Sequence, residues 1–384
     1  MRWGIASRQR NCPMKKIKVV FGINDFLVGG MQRQFIQQAQ HYDREKFEII
    51  LITLFQFSEK EDLYAELPET VAVHKLAFGG WWDVGEWWKL YKLLRSLRPD
   101  IVVSSLFFSN TVFRLLKPLL GYASIAREHN TYVDKSWLQK SLDRLLTHFA
   151  YCIVAVSKTV ADFTAKQENI PREKFAVIHN GIDLEQATRE LAALPERDRL
   201  RQEMGLTPDH FVVLNVARLS AQKNHKLLIE GFAVFSSRHR DCKLLIVGDG
   251  ALREELEAQA RAAGAGASIV FVGHQTDTQP FYKLADVFIS TSNIEGLSNS
   301  YLEALAAGLP LVSTKTAGTD ELIFERKNGF FIQEATVDAV IESLEKIRSA
   351  NIEELKKEAR ASLKNFDIRT TVQKYEELFE AVAN

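Results

Sequence analysis

Short apolar runs of strand length recur along this chain, and most are followed by a stretch whose apolar residues return every three to four positions. In the first half the runs are IKVVFGI (17–23), FEIILITLF (47–55), VAVHKL (71–76), DIVVSS (100–105), YASIARE (122–128), YCIVAVS (151–157) and KFAVIHN (174–180). In the second half they are FVVLNVA (211–217), KLLIVG (243–248), SIVFVG (268–273), DVFIST (286–291) and LPLVST (309–314). Runs that are apolar at nearly every position belong to strands buried on both faces, so the pattern predicts parallel sheets covered by helices on either side. Between the two series lies 185–208, EQATRELAALPERDRLRQEMGLTP, which is charged, helix-prone and without a strand. The expected fold is therefore α/β, with two doubly wound, Rossmann-like domains facing each other across a cleft. The first is placed at 15–190 and the second at 191–365, with a terminal helix (366–384) packing back on the first. Residues 1–14 are expected to be a disordered extension. Ligands of such sheets bind beyond the carboxyl ends of the strands.

Several strand ends carry candidate chemistry. After DVFISTS comes IEGLSNSYLEALAAG (294–308), with a helix expected from about Ser300. Glu295 thus sits in a loop at the ligand edge. Gly296 permits close backbone approach, and the amides of Gly296, Leu297 and Ser298 can point at ligand oxygens near the helix start. Glu303 has a structural explanation, because Ser300-x-x-Glu303 matches a capping box in which the glutamate bonds back to the cap amide. After FVVLNVA, two cations follow in RLSAQKNH: Arg218 offers a planar fork for phosphate and Lys223 a compact charge. Alone, this pair reads as readily as exposed loop cations. Gly29 and Gly30 open a helix after IKVVFGI, where unsatisfied helix-start amides make an anion site. His129 follows YASIARE and faces the same cleft if the sheet is parallel. Gly248 and Gly250 mark a tight turn that lacks both the third glycine of a dinucleotide fingerprint and the Gly-Lys-Ser/Thr of a P-loop.

Composition narrows the function classes. A chain of 384 residues suits two domains of roughly 150–200 residues. Lys plus Arg and Asp plus Glu are equal at 49 each, so net charge makes no case for nucleic acid or an acidic partner. Cys12, Cys152 and Cys242 have no zinc spacing, and the latter two sit at strand edges as small hydrophobes, which fits a reducing compartment. The N-terminus lacks a signal-peptide core, and no apolar run approaches the roughly 18 residues that span a bilayer. A cytoplasmic location is expected. One segment qualifies that picture: FGGWWDVGEWWKLYKLLRSLR (78–98) sets Trp81, Trp82, Trp87 and Trp88 beside several cations. This suits a membrane interface or a lipid-linked acceptor, and equally aromatics packed on the first sheet.

Taken in order, VIHNGID, RLSAQKNHKLLIEGFA, KLLIVGDGALREELE and VFVGHQTDTQPFYKLADVFISTSNIEGLSNSYLEALAAGLPLVSTKTAG resemble the family-4 retaining glycosyltransferases of the GT-B fold. EGLSNSYLE is similar to that family's E-x7-E signature. The resemblance implies that Arg218 and Lys223 hold the donor's pyrophosphate, that Glu303 binds the ribose hydroxyls, and that Glu295 with the amides of Gly296, Leu297 and Ser298 holds the donor sugar. It places Gly29 and Gly30 near the phosphates and acceptor, and His129 near the donor sugar. Met-Gln after Gly-Gly departs from a frequent Ala-Glu. TAGTDELI replaces a more usual Gly-Gly turn, where Gly318 can serve. No Asp-x-Asp occurs, so Arg218 and Lys223 are expected to substitute for a metal, with none bound and no cofactor beyond a nucleotide-sugar co-substrate, UDP by default. The implied reaction is hexosyl or N-acetylhexosaminyl transfer, with retention, to a glycan or polyprenyl- or other lipid-linked acceptor. Bacterial cell-surface polysaccharide or lipopolysaccharide synthesis is the expected setting, with peripheral contact at the inner face of the plasma membrane. Other readings are a GT-B nucleotide-sugar epimerase or phosphorylase-like enzyme, and a non-catalytic nucleotide-sugar-binding subunit.

Overall fold

The computed structural model describes residues 15–57 and 62–383. The expected extension 1–14, with Cys12, lies outside the described residues. The first series of runs becomes β1 (Ile17–Ile23), α1 (Gly30–His41), β2 (Phe47–Thr53), β3 (Ala72–Lys75), α2 (Val84–Leu97), β4 (Ile101–Ser105), α3 (Phe107–Leu120), β5 (Ala123–Glu128), α4 (Trp137–Leu146), β6 (Cys152–Ala155), α5 (Lys158–Glu168) and β7 (Phe175–Val177). The charged segment forms α6 (Leu184–Ala193) and α7 (Arg197–Glu203). The second series follows as β8 (Phe211–Val216), α8 (His225–Arg238), β9 (Cys242–Val247), α9 (Arg253–Ala262), β10 (Ile269–Gly273), α10 (Gln279–Leu284), β11 (Val287–Ser290), α11 (Asn299–Ala306), β12 (Leu311–Thr314), α12 (Thr319–Leu322), β13 (Gly329–Ile332), α13 (Val337–Ser349), α14 (Ile352–Ala361) and α15 (Ile368–Ala383).

Among the described residues there are two sheets, ordered β3-β2-β1-β4-β5-β6-β7 and β10-β9-β8-β11-β12-β13, and every strand pairing in them is parallel. Strand order reverses between β1 and β4 in the first sheet and between β8 and β11 in the second. Those reversals open crevices at the strand ends, where ligands of this architecture bind. The continuous apolar runs explain the layering. Val19, Phe21, Ile101 and Val103 face a core closed by α1 and α15, while Val20, Ile50, Ile52 and Val102 face one closed by α2 and α3. In the former core Phe379 of α15 meets Phe21, Tyr42 and Phe47 with ring centroids 5.9–6.3 Å apart.

One strand escapes the apolar-run pattern. β13, GFFI, is no shorter than β11 or β12, but it directly follows the charged stretch ERKN (325–328), which reads as loop. The chain passes between the sheets at Gly181–Asp183 and returns at Phe366–Ile368. The two crossings are bonded together, Ile182 N–H to Phe366 O (2.9 Å) and Ile368 N–H to Ile182 O (3.0 Å). Gln34 of α1 clamps the first crossing, donating to Gly181 O (2.6 Å) and accepting from Gly181 N–H (3.0 Å). Cys152 and Cys242 are buried free thiols, both pushed up to about 12 by burial, which keeps them protonated and unreactive. Among the described residues no helix is long and apolar enough to cross a membrane.

Candidate active site

The reversal point of the second sheet is built by two laced loops. β8 ends at Val216, and a tight turn over Ala221–Lys223 leads through left-handed Asn224 into α8. β11 ends at Ser290, and the loop after it is tied to that turn. Thr291 Oγ1 donates to Asn224 O (2.9 Å), Asn293 N–H to Gln222 O (2.9 Å), and Gln222 Nε2 to Ile294 O (2.8 Å). The lacing brings together two residues that lie 72 positions apart: Lys223 Nζ donates to Glu295 Oε2 in an ion pair whose side chains are 19% and 12% exposed. Beneath it, buried His225 bonds Asn215 (2.9 Å). Burial and then the Lys223 charge push its imidazole down to about 4, so it stays neutral and adds no competing cation. Arg218 stands exposed at the cleft and pairs with no other described residue.

The Glu295 turn presses against the first domain. A Cβ on Gly296 would lie 2.0 Å from His129 O, and a Cβ on Gly318 would lie 2.5 Å from Gly296 O. Gly318 also holds φ +84°, the left-handed region that favours glycine, so this one residue does serve where the sequence pattern departs from Gly-Gly. Asn180 Nδ2 donates to Leu297 O (2.8 Å), and Asn299 Nδ2 to Gly30 O (2.9 Å), joining the turn to both the interdomain crossing and the glycine loop. The amides of Gly296, Leu297 and Ser298 donate to no other described residue, at the N-terminus of α11.

Glu303 is not in a capping box. The capping box needs Ser300 as N-cap, but the cap lies two residues earlier, at Ser298, with Asn299 the first helical residue, so Glu303 stands at the fifth helical position, beyond reach of the cap amide. Its Oε2 accepts instead from Tyr282 Oη (2.8 Å). Burial raises its carboxyl above the ordinary value, against the Tyr282 hydrogen bond and the nearby Arg33, which lower it.

On the first-domain side, α1 begins at Gly30 with extended Gly29 as its cap. Asp25, Gly29 and Gln32 of this loop face Arg218 and His274 of the second domain across a cavity of about 640 Å³. His129 directly follows β5, with Nε2 3.3 Å from Ser105 Oγ at the end of β4. Desolvation, with a smaller contribution from the Arg127 guanidinium, holds its imidazole well below the usual histidine range, so it is neutral.

A family model described as "Glycosyl transferases group 1" matches residues 196–365, and one described as "Glycosyltransferase Family 4" matches residues 28–186. The chain belongs to glycosyltransferase family 4. It is 28% identical over 252 residues to the putative glycosyltransferase EpsD of Bacillus subtilis, a match covering 64% of this chain and 65% of that protein, just under two thirds of its length. It is 25% identical over 373 residues to the UDP-Gal:alpha-D-GlcNAc-diphosphoundecaprenol alpha-1,3-galactosyltransferase of Escherichia coli, covering 92% of this chain and 94% of that one. Among solved structures, Anabaena Alr3699/HepE in complex with UDP-glucose aligns with a TM-score of 0.81 at 20% identity, covering 95% of this chain and 99% of that chain. The shared two-domain arrangement is the GT-B fold.

Within this family member the candidates form two groups. Lys223 pairs with Glu295, the next residue Gly296 meets the backbone carbonyl of His129, and Gly30 is tied to the same turn through Asn299, while Gly29 and Arg218 line one cavity. Glu303 stands apart, bonded within its own domain to Tyr282 of α10. Sequence reasoning missed Asn180, Asn299 and Tyr282. The first two lie inside segments already singled out, HNGID and EGLSNSYLE, where a carboxamide at a strand end was the available signal. Tyr282 gave none, because it comes 21 residues before its partner in an ordinary amphipathic stretch.

Proposed function

We propose that the protein is a retaining, metal-independent glycosyltransferase that moves a hexosyl or N-acetylhexosaminyl group from a UDP-sugar to a lipid-linked glycan acceptor. The observation that carries this reading is the Lys223–Glu295 pair at the β8/β11 reversal, beside Arg218 and three amides that have no partner among the described residues. As the anomeric C–O bond breaks, negative charge grows on the terminal phosphate of UDP. Arg218 and Lys223 are fixed cations that stabilise this charge more in the transition state than in the ground state. Glu295 and the 296–298 amides orient the donor sugar by its hydroxyls. Neutral His129 offers one further hydrogen bond from the opposite wall, and Glu303 binds the ribose. In this front-face route the departing phosphate oxygen takes the proton of the acceptor hydroxyl, and Glu295 is an orienting group rather than a nucleophile. The related structure holding UDP-glucose and the relative named for UDP-Gal support UDP as the nucleotide.

The test is turnover of UDP-glucose, UDP-galactose and UDP-N-acetylglucosamine with a polyprenyl-diphosphate-linked sugar, read by mass spectrometry and by NMR of the new anomeric proton. The expected product keeps the donor's anomeric configuration and forms equally with EDTA present. Inversion, a dependence on divalent metal, or epimerisation of the donor without acceptor each overturns the reading.

The surface of the first domain supports a lipid-linked acceptor presented by a bilayer. The exposed and half-exposed charges of α2, α3 and α4 are all cationic (Lys89, Lys92, Arg95, Lys117, Lys140 and Arg144), whereas their two acids, Glu86 and Asp143, are buried. On a chain of zero net charge this is a marked local imbalance. Of the four tryptophans in 78–98, Trp87 packs on Phe78 and Trp81 on Phe108, but Trp82 is 93% exposed and Trp88 55%. Trp137 and Leu145 of α4 add further exposed apolar area. Exposed tryptophan among cations suits the headgroup layer of an anionic membrane. The variant Trp82→Ala/Trp88→Ala/Trp137→Ala is expected to lose most co-sedimentation with phosphatidylglycerol vesicles while binding UDP as before; unchanged co-sedimentation excludes this face.

A further inference from the structure

A group of five charges lies buried beside the active-site wall, and the proposed chemistry does not use it. Glu128 is the last residue of β5, immediately before His129. Its carboxylate faces Lys135 Nζ at 3.5 Å, and the same ammonium meets Asp143 of α4 at 3.0 Å and Glu168 of α5 at 2.6 Å. Arg114 of α3 completes the group, pairing with the other oxygen of Asp143. All five side chains are at most 9% exposed. Burying five charges is expensive, and a fold retains them only where their geometry is strongly specified.

The geometry they specify is that of one loop. Residues 129–136 run from β5 to the Ser136 N-cap of α4, and Lys135 reaches from the end of this loop back to the strand from which it starts. The middle of the loop is held too. Gln167 Nε2 of α5 donates to Tyr132 O (3.1 Å) and Val133 O (3.4 Å), and the Tyr132 ring lies 5.6 Å from Lys135 Nζ. The loop's first residue, His129, is the one whose carbonyl oxygen presses on Gly296.

We propose that Lys135 is a positioning residue for sugar transfer: anchored by Glu128, Asp143 and Glu168, it holds the 129–136 loop so that His129 stays against the Glu295–Ser298 turn. This rests on the transferase reading above. Lys135 touches no reacting atom and acts through His129.

The cluster also holds a proton near neutrality. It contains three carboxyls (Glu128, Asp143, Glu168) and two cations (Lys135 from the loop, Arg114 from α3), with the Tyr132 phenol at its edge kept protonated by burial. Fully ionised, it carries one uncompensated negative charge. Burial accordingly raises Glu168 to about 7, against the attraction of Lys135, and raises Glu128 in the same direction. The folded value lies above the unfolded one. The stabilisation that the proton provides is therefore complete at low pH and is lost as pH rises through about 7.

The experiment compares wild type, Lys135→Met, Glu168→Gln and Gln167→Ala by hydrogen exchange of peptides covering 129–136, by UDP binding, and by kcat and KM for the UDP-sugar across pH 6–9. In Lys135→Met the loop should exchange at least about tenfold faster. Its kcat should fall about 10–100-fold, the scale of an ångström-level misplacement. UDP affinity and KM should hold within about twofold, because the proposed UDP ligands lie on the second domain. Glu168→Gln mimics the protonated acid and should flatten the increase in loop opening, read as exchange corrected for its intrinsic pH dependence, that is expected of wild type as pH rises through about 7. Unchanged loop exchange and kcat in Lys135→Met overturn the proposal, as does a loss confined to UDP affinity. Should Lys135→Met fail to fold, Gln167→Ala decides, since it removes only a loop tie and no buried charge; a silent Gln167→Ala then overturns it. Loosened exchange with UDP still bound, in a wild type that transfers no sugar, would instead overturn the transferase reading and leave the latch standing.

Discussion

Lys223→Ala lowers kcat by about 10²–10³-fold, the loss expected on removing one preorganised donor from a developing oxyanion, and Glu295→Ala does the same while the protein stays folded. The two effects have different origins. Lys223 supplies charge to the departing phosphate. Glu295 accepts from Lys223 and, once donor is bound, from sugar hydroxyls. The pair is largely sheltered from solvent, so each single variant also leaves a partner without its counter-charge, at a cost to stability of about 1–3 kcal/mol. The double variant Lys223→Ala/Glu295→Ala separates the roles. A purely structural pair predicts that stability and activity return together in the double variant, whereas a catalytic pair predicts that stability alone recovers. Thermal melts beside steady-state kinetics of the three variants make the comparison, and full turnover by either single variant removes that residue from the mechanism.

The legibility of these positions in the sequence follows from where each constraint acts. Strands such as VVFGI and KLLIV are apolar throughout because both faces are covered, and that requirement is written residue by residue. Arg218, Lys223 and Glu295 could be singled out by their place at the carboxyl ends of buried strands, but alone they read as readily as exposed loop charges, and only the family resemblance gave them roles. That Lys223 and Glu295 pair was not legible, since it depends on β8 and β11 lying side by side, a fact of strand order. The capping box at Ser300 failed for a local reason: Ser298, Asn299 and Ser300 are three consecutive capping residues, and a cap two residues earlier changes what Glu303 can reach. β13 was missed although β11 and β12 are equally short, because a charged turn, ERKN, runs directly into this edge strand. The Lys135 cluster was invisible because its members come from four separate elements and the loop between β5 and α4, and look, singly, like surface charges.

Gly296→Ala is the substitution whose effect is hardest to evade by relaxation. The added Cβ would stand 2.0 Å from His129 O and 3.0 Å from its carbonyl carbon, both backbone atoms, and 3.3 Å from Val156 Cγ2. A flexible side chain could turn aside, but a backbone carbonyl at the end of β5 cannot. The methyl group therefore forces the Glu295–Ser298 turn away from the first domain by an ångström or more. That motion strains the bonds from Asn180 to Leu297 and from Asn299 to Gly30, and it draws the donor-sugar amides away from His129. A displacement of this size in a reacting site costs about 10²-fold, so kcat should fall by at least that factor. UDP affinity should change little, because Arg218 and Lys223 stay on their own loop, and the melting temperature should drop by only a few degrees, about 1 kcal/mol for a chain of two domains. Small-angle scattering offers an independent check: the variant should be more open than wild type when UDP-sugar is present. Wild-type kcat in Gly296→Ala would show that transfer does not need the close contact between the Glu295 turn and His129.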